Sequence, residues 1–283
     1  MKYGVMFANT LLWAGPKALF LAQNAEELNY DSLWTVEHVV LPKGFKSPYP
    51  YSKDGRMPGG EDAYIPDPLI WLSYVGGATT KIKLATGILI LAQRNPIITA
   101  KEIATLDYLT NSRVILGVGI GWLKEEFEAL GANFSNRSKI TEEYIEALRC
   151  LWTQDVASYS GNYVNFSQLK MNPKPLHGPP PVIIGGHSVG AAKRAGKLGD
   201  GFFPAVSDPE TVRNLIEIAR REATQQGKNL DSFEITVGAR ADKNELKFFA
   251  DLGVHRVVTT PFFFDENQLK NHLESFAELV ESL

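Results

Sequence analysis

The sequence lacks what several classes of protein need. It has one cysteine, Cys150, among 283 residues, which excludes an internal disulfide framework and a cysteine-based zinc site. Cys150 falls in a helical pattern with Tyr144, Leu148 and Leu151, where it is expected to pack as a small apolar residue. No apolar run is long enough to span a bilayer. The chain opens on Lys-Tyr-Gly-Val-Met-Phe, a strand pattern and not a secretory leader, so a cytoplasmic protein with no membrane partner is expected. There is no basic excess either. Twenty-nine Lys and Arg stand against 32 Asp and Glu, a net charge of −3, which makes nucleic acid a poor partner.

What is present is an alternation of short apolar runs with longer amphipathic stretches. Strand patterns fall at Tyr3–Phe7, Asp31–Val36, Ile82–Leu91, Val114–Val118, Val182–Ile184, Gly201–Pro204, Phe233–Val237 and Val254–Thr259. Helical patterns lie between and after them, at Pro16–Leu28, Asp67–Thr79, Ile97–Leu109, Leu123–Leu130, Ile140–Trp152, Val189–Lys197, Thr211–Gln225, Lys243–Leu252 and Asn267–Leu279. Asp67 before Pro68 reads as an N-cap with proline in the first turn. Eight strand–helix alternations predict an α/β fold, a closed (β/α)8 TIM barrel in preference to an open doubly wound sheet. Two insertions break the rhythm. Leu41–Ile65 follows strand two and is rich in Pro, Gly and Tyr. Ser158–Pro181 follows the fourth unit and contains a hairpin pattern with Gly161-Asn162 at its turn. The first insertion belongs at the C-terminal mouth of the barrel, where Phe45, Tyr49, Tyr51 and Tyr64 would be costly to leave wet. It reads as a substrate-facing lid or as a solvated loop.

Barrel chemistry comes from residues just past the strand ends. No lysine stands there, so a Schiff-base aldolase is not expected. There is no His-x-His and no spread of carboxylates, so no metal site is expected. Strand two ends in Glu37-His38, strand three in Thr86-Gly87-Ile88, strand four in Gly117, Gly119, Gly121 and Trp122, and strand five in Gly185-Gly186-His187-Ser188. An apolar, glycine-rich mouth with one acid–base candidate, His38, suits a large flat cofactor that brings its own chemistry. The Gly185-Gly186 turn, opening a helix at Ser188, suits a phosphate, because a helix N-terminus presents free N–H groups.

Five stretches carry a resemblance over nearly the whole chain: SLWTVEHVVLP, KLATGILILAQRNP, RVILGVGIGWLKEEFEALG, the helix RSKITEEYIEALRCLW, and IIGGHSVGAAKRAGKLGDGFF. Together they resemble the luciferase-like monooxygenase superfamily, in its coenzyme F420-dependent branch. The resemblance implies one TIM-barrel domain over 1–283. It implies F420, or alternatively FMN, at the mouth, and hydride transfer to or from a small organic substrate, with oxygen-using FMN chemistry or a non-catalytic flavin-binding protein as the alternatives.

Carried over residue by residue, His38 matches a histidine beside the reactive ring edge that acts as general acid or base. Glu37 would orient His38, contact the ring, or serve the fold. A non-proline cis peptide is implied at Gly87-Ile88, under the ring, with Gly119 beside it. Gly185, Gly186, His187 and Ser188 match the loop around the cofactor phosphate. Arg137 matches a phosphate-contacting arginine, since a guanidinium can bind two phosphate oxygens at once; a surface ion pair with Glu142 or Glu143 is the alternative. Arg94 would contact substrate or tie down the loop before Pro96. Trp122 stands where the sugar-phosphate dehydrogenases carry a glutamate, and Ile120 where the light-emitting luciferases carry an arginine, so neither activity is expected. Trp13, Trp71 and Trp122 are candidates to line the pocket or to fill the core. Related barrels pair through helices two and three, which implies a homodimer.

Overall fold

The computed structural model describes residues 1–10, 13–263 and 265–283. Its strands and helices run in the order β1 (Lys2–Met6), α1 (Lys17–Glu27), β2 (Ser32–Thr35), α2 (Pro68–Gly76), β3 (Lys83–Thr86), β4 (Leu89–Ile90), α3 (Pro96–Leu109), β5 (Val114–Gly119), α4 (Lys124–Ala129), α5 (Arg137–Thr153), β6 (Ala157–Ser160), β7 (Asn165–Leu169), β8 (Val182–Gly186), α6 (Val189–Leu198), β9 (Gly201–Pro204), α7 (Pro209–Gln225), β10 (Glu234–Gly238), α8 (Lys243–Asp251), β11 (Arg256–Thr259) and α9 (Glu266–Glu281).

Eight of these strands are parallel and closed into a barrel. β1 pairs with β2 and β11, and β3 and β5 join the two ends of the ribbon. The expected third strand is interrupted: β3 stops at Thr86, the Gly87–Ile88 peptide bond is cis, and β4 resumes pairing with β5 at Leu89. β6 and β7 form the expected hairpin in the second insertion. No helix among the described residues is long and apolar enough to cross a membrane.

The sequence makes these helices start where they do. Asp67 and Asn95 each precede a proline and accept two backbone N–H bonds, from Leu69 and Ile70 and from Ile97 and Ile98. A side-chain oxygen there satisfies donors that the helix itself leaves unpaired, and proline at the first position loses nothing. Ser188, Asp208, Asp242 and Asp265 cap α6, α7, α8 and α9 in the same way. The barrel interior is filled by Trp34, Ala85, Ile115, Ile183, Phe203 and Val258, with Met6 against them. A second, larger apolar layer between strands and helices includes Val5, Leu33, Leu84, Leu116, Ile184 and Phe202. Trp13 and Trp71 are buried in that layer. At the opposite end Arg256 is buried against Asp31 and Glu234 at 2.7 and 3.0 Å, so a fully paired cation closes the barrel floor.

Candidate functional site at the barrel mouth

The C-terminal ends of the strands open into a cavity of about 1110 Å³. All ten residues expected from the sequence border it: Glu37 and His38 after β2, Gly87 and Ile88 after β3, Gly119 on β5, Arg137 on α5, and Gly185, Gly186, His187 and Ser188 at the turn from β8 into α6.

Ile88 is the centre of the floor. A Cβ at Gly185 would come within 2.5 Å of the Ile88 Cγ2, and one at Gly119 within 2.5 Å of its Cδ1. These two positions are glycine because the Ile88 side chain occupies the space a side chain there would need. Gly186 is fixed twice over. Its φ is +150°, and a Cβ there would meet the Ala191 Cβ at 2.6 Å, so only glycine lets β8 turn this tightly into α6.

Glu37 and His38 are neighbours in sequence and diverge in space. The Glu37 carboxylate accepts the Ile90 N–H at 2.5 Å and the Arg94 Nε at 2.7 Å. Arg94 continues to Asp67 at 3.0 Å and Glu102 at 3.6 Å. Burial pushes the Glu37 carboxyl up, against the pull of Arg94 and the Ile90 N–H. Burial also works against the Arg94 charge, but Glu37 and Asp67 outweigh it and raise that pKa. Glu37 therefore ties the end of β2 to β4 and does not orient His38, and Arg94 ties down the loop before Pro96. The residue that holds His38 is Glu126 on α4, whose Oε2 lies 2.8 Å from the imidazole Nδ1. The sequence signal for it was slight. Glu125 and Glu126 read as acidic residues in the first turn of a short helix, a common surface pattern.

The first insertion lies over the mouth. Ser47 to Lys53, Met57 and Ile65 border the cavity. Trp122 stands edge-on to His38, Phe45 and Tyr49, with ring centres 5.3–5.7 Å apart, a favourable aromatic geometry. Tyr51 meets His187 at 5.5 Å, and burial, with Tyr49 nearby, pushes its phenol up to about 12. The insertion is held down by Glu125, which accepts from the Lys46 and Ser47 N–H groups and from the Ser47 hydroxyl. Those bonds, led by the hydroxyl, draw its carboxyl down to about 2. Tyr64 lies apart from this cluster, exposed.

The other side of the cavity is cationic. α5 starts three residues earlier than the sequence pattern suggested, which makes Arg137 its first residue. Arg137 donates to the Gly121 and Phe134 carbonyls and lies 3.8 Å over the Phe134 ring. It does not pair with Glu142 or Glu143. Glu142 holds Arg194 at 3.0 Å, and Glu143 takes the N–H groups of the hairpin turn. Burial and then the nearby Arg194 lower the Arg137 pKa. Two guanidinium groups bordering one wall, beside the N-terminus of a ten-residue helix, fit a phosphate. The glycine-walled middle fits a planar ring. The residues present thus suit a ring with a phosphate tail of the flavin or deazaflavin type.

Comparison with known proteins agrees with this geometry. Residues 14–241 match the family model described as luciferase-like monooxygenase. An uncharacterised protein of Mycobacterium tuberculosis is 31% identical over 267 residues, covering 91% of each chain. An FMNH2-dependent dimethylsulfone monooxygenase of Pseudomonas putida is 34% identical over 154 residues, 53% of this chain and 42% of that one. Among solved structures, an F420-dependent secondary alcohol dehydrogenase bound to an F420–acetone adduct superposes with a TM-score of 0.80 at 20% identity, over 99% of this chain and 98% of the other. Barrel, mouth and sequence similarity lead to one conclusion: the chain belongs to the luciferase-like monooxygenase family, a family of oxidoreductases.

Proposed function

We propose that this protein binds coenzyme F420 in the mouth cavity and transfers hydride between it and a small, largely apolar organic substrate. The observation that carries this reading is the placement of His38, held by Glu126, on the same cavity as the Ile88 floor and the Arg137–α6 wall. When bound, the deazaflavin supplies the carbon that gives or takes hydride. Arg137 and the N–H groups opening α6 would hold its phosphate, with His187 and Ser188 beside it, and Gly87, Ile88, Gly119 and Gly185 would receive the ring. His38 would take or give the proton at the substrate oxygen. Trp122, Tyr49 and Phe45 would wall that oxygen from water and favour an apolar substrate body. The cavity also exceeds the ~300–1,000 Å³ common for drug-sized ligands, which suits a long-tailed cofactor together with a substrate.

The likeness to an FMNH2-dependent monooxygenase favours a second reading, in which FMN is the cofactor and oxygen a substrate. Fluorescence titration of the cofactor-free protein with F420 and with FMN separates the two. Tight binding of F420 alone supports the proposal, and tight binding of FMN alone replaces it with the second. Binding of neither overturns both.

The chain would act as one domain and as a homodimer. Ile70 and Tyr74 on α2 and Ile98, Tyr108 and Leu109 on α3 are large exposed apolar residues on two neighbouring helices, and an apolar patch of this kind marks an interface.

A further inference from the structure

The Glu126 side chain is fully buried, and three atoms converge on it. Its Oε1 accepts the Val39 N–H at 2.6 Å and the Val40 N–H at 3.4 Å, and its Oε2 meets the His38 Nδ1 at 2.8 Å. An ionised carboxylate offers only acceptors, and with both backbone donors on Oε1 its Oε2 is left to accept from His38. The hydrogen in its contact with His38 therefore belongs to the imidazole. In a neutral imidazole one nitrogen carries the proton and the other a lone pair. A proton fixed on Nδ1 leaves the lone pair on Nε2, and His38 borders the main cavity. The Trp122 edge at 5.5 Å restrains the ring plane from the side.

We infer that Glu126 is a positioning residue that locks His38 in the Nδ1–H form, so that Nε2 meets the substrate as a base. This rests on the proposed acid–base role of His38. The arrangement uses the logic of a carboxylate that orients a catalytic imidazole from behind and never exchanges the proton itself. It gives the reaction a direction-dependent start. Oxidation of an alcohol begins with the form the resting protein already holds. Reduction of a carbonyl needs the imidazole to take up a second proton first, and the buried carboxylate then faces the cation at 2.8 Å.

The test uses the whole cofactor-free protein labelled with 15N-histidine. The five histidines give five pairs of imidazole nitrogen signals, and His38→Gln assigns the pair that matters. In the native protein, above the titration range of the ring, the Nδ1 of His38 should carry the proton. Glu126→Gln keeps an oxygen for the Val39 and Val40 N–H groups but turns an NH2 donor toward His38, so the proton should move to Nε2. Glu125→Gln loosens the insertion without touching His38 and should leave the native tautomer in place. A native protein with the proton on Nε2 overturns the inference, whatever the variants do. So does a tautomer unchanged in Glu126→Gln, or one that changes equally in Glu125→Gln. The readout needs neither cofactor nor substrate, so a failed F420 titration and a failed tautomer assignment are distinguishable results.

Discussion

Replacing Arg94 with methionine should cost more than any other single change near Glu37. The Glu37 side chain is 1% exposed and the Arg94 side chain 15%, and their closest contact is 2.5 Å. Without the guanidinium, Glu37 keeps one donor, the Ile90 N–H, and its charge stays buried. Removing one partner of a buried pair costs about 3–5 kcal/mol. Unfolding entropy of roughly 2.1 cal/mol/K per residue over 283 residues amounts to about 0.6 kcal/mol/K. The melting temperature should therefore fall by about 5–8 °C. Glu37→Gln should cost less, because the amide oxygen still accepts from Ile90 and Arg94 keeps Asp67 and Glu102. The double variant should be more stable than Arg94→Met alone, since the stranded charge is gone. Calorimetry on the native protein and three variants tests this. An Arg94→Met protein melting within about 2 °C of native, or a double variant showing the plain sum of the two losses, would refute the view that Glu37 serves the joint between β2 and β4.

Four other outcomes follow from the same geometry. Gly185→Ala places a methyl against the Ile88 Cγ2; overpacking costs about 1–3 kcal/mol, and because Ile88 borders the cavity, isothermal titration should show weaker cofactor binding by about 5- to 150-fold. Arg137→Met should weaken FMN or F420 binding by about 10- to 150-fold, the range of a charged hydrogen bond, while leaving riboflavin, which has no phosphate, within about two-fold; equal losses for riboflavin would remove Arg137 from the phosphate site. The Glu125 tether has a pH signature. Its carboxyl falls from 4.5 to about 2 in the folded protein, so its contribution is complete above pH 4.5 and is lost as pH drops toward 2; the stability gap between native and Glu125→Gln in urea should shrink through that window, and a constant gap would contradict the tether. Finally, Ile70→Glu with Leu109→Glu changes two side chains that are 74% and 75% exposed, and light scattering should find a dimer for the native protein and a monomer for the variant; a native monomer would remove the proposed dimer altogether.

The alternation of strands and helices was legible because both periods are strong here and the helix starts carry their own punctuation. Asp67-Pro68 caps α2 as read. The break in the third strand was not legible as a break. The run Ile82–Leu91 is apolar throughout, and only the cis bond at Gly87-Ile88 divides it, a feature implied by resemblance and not by pattern. Nine of the ten expected residues border the cavity because a barrel forces strand ends to one mouth, and Arg137, on α5, was placed by resemblance alone. Their partners were not found, because partners are a matter of tertiary distance. Glu37 stands next to His38 in sequence and reaches Arg94, while Glu126, 88 residues away, reaches His38. Arg137 was left between phosphate and carboxylate until the structure showed Glu142 and Glu143 engaged elsewhere. The three tryptophans were divided by burial alone: Trp13 and Trp71 fill the core, and Trp122 turns to the cavity.

One segment connects both halves of the mouth. Between the end of β5 and the first residue of α5, the Gly121 carbonyl receives Arg137, Trp122 packs on His38, Glu125 holds Lys46 and Ser47, and Glu126 holds His38. His38 comes from the end of β2 and the Gly185–Ser188 turn from β8, on opposite flanks of β5. The two flanks also meet where Tyr51, in the insertion after β2, stands edge-on to His187. A shift of the segment would therefore move the His38 ring and Arg137 together.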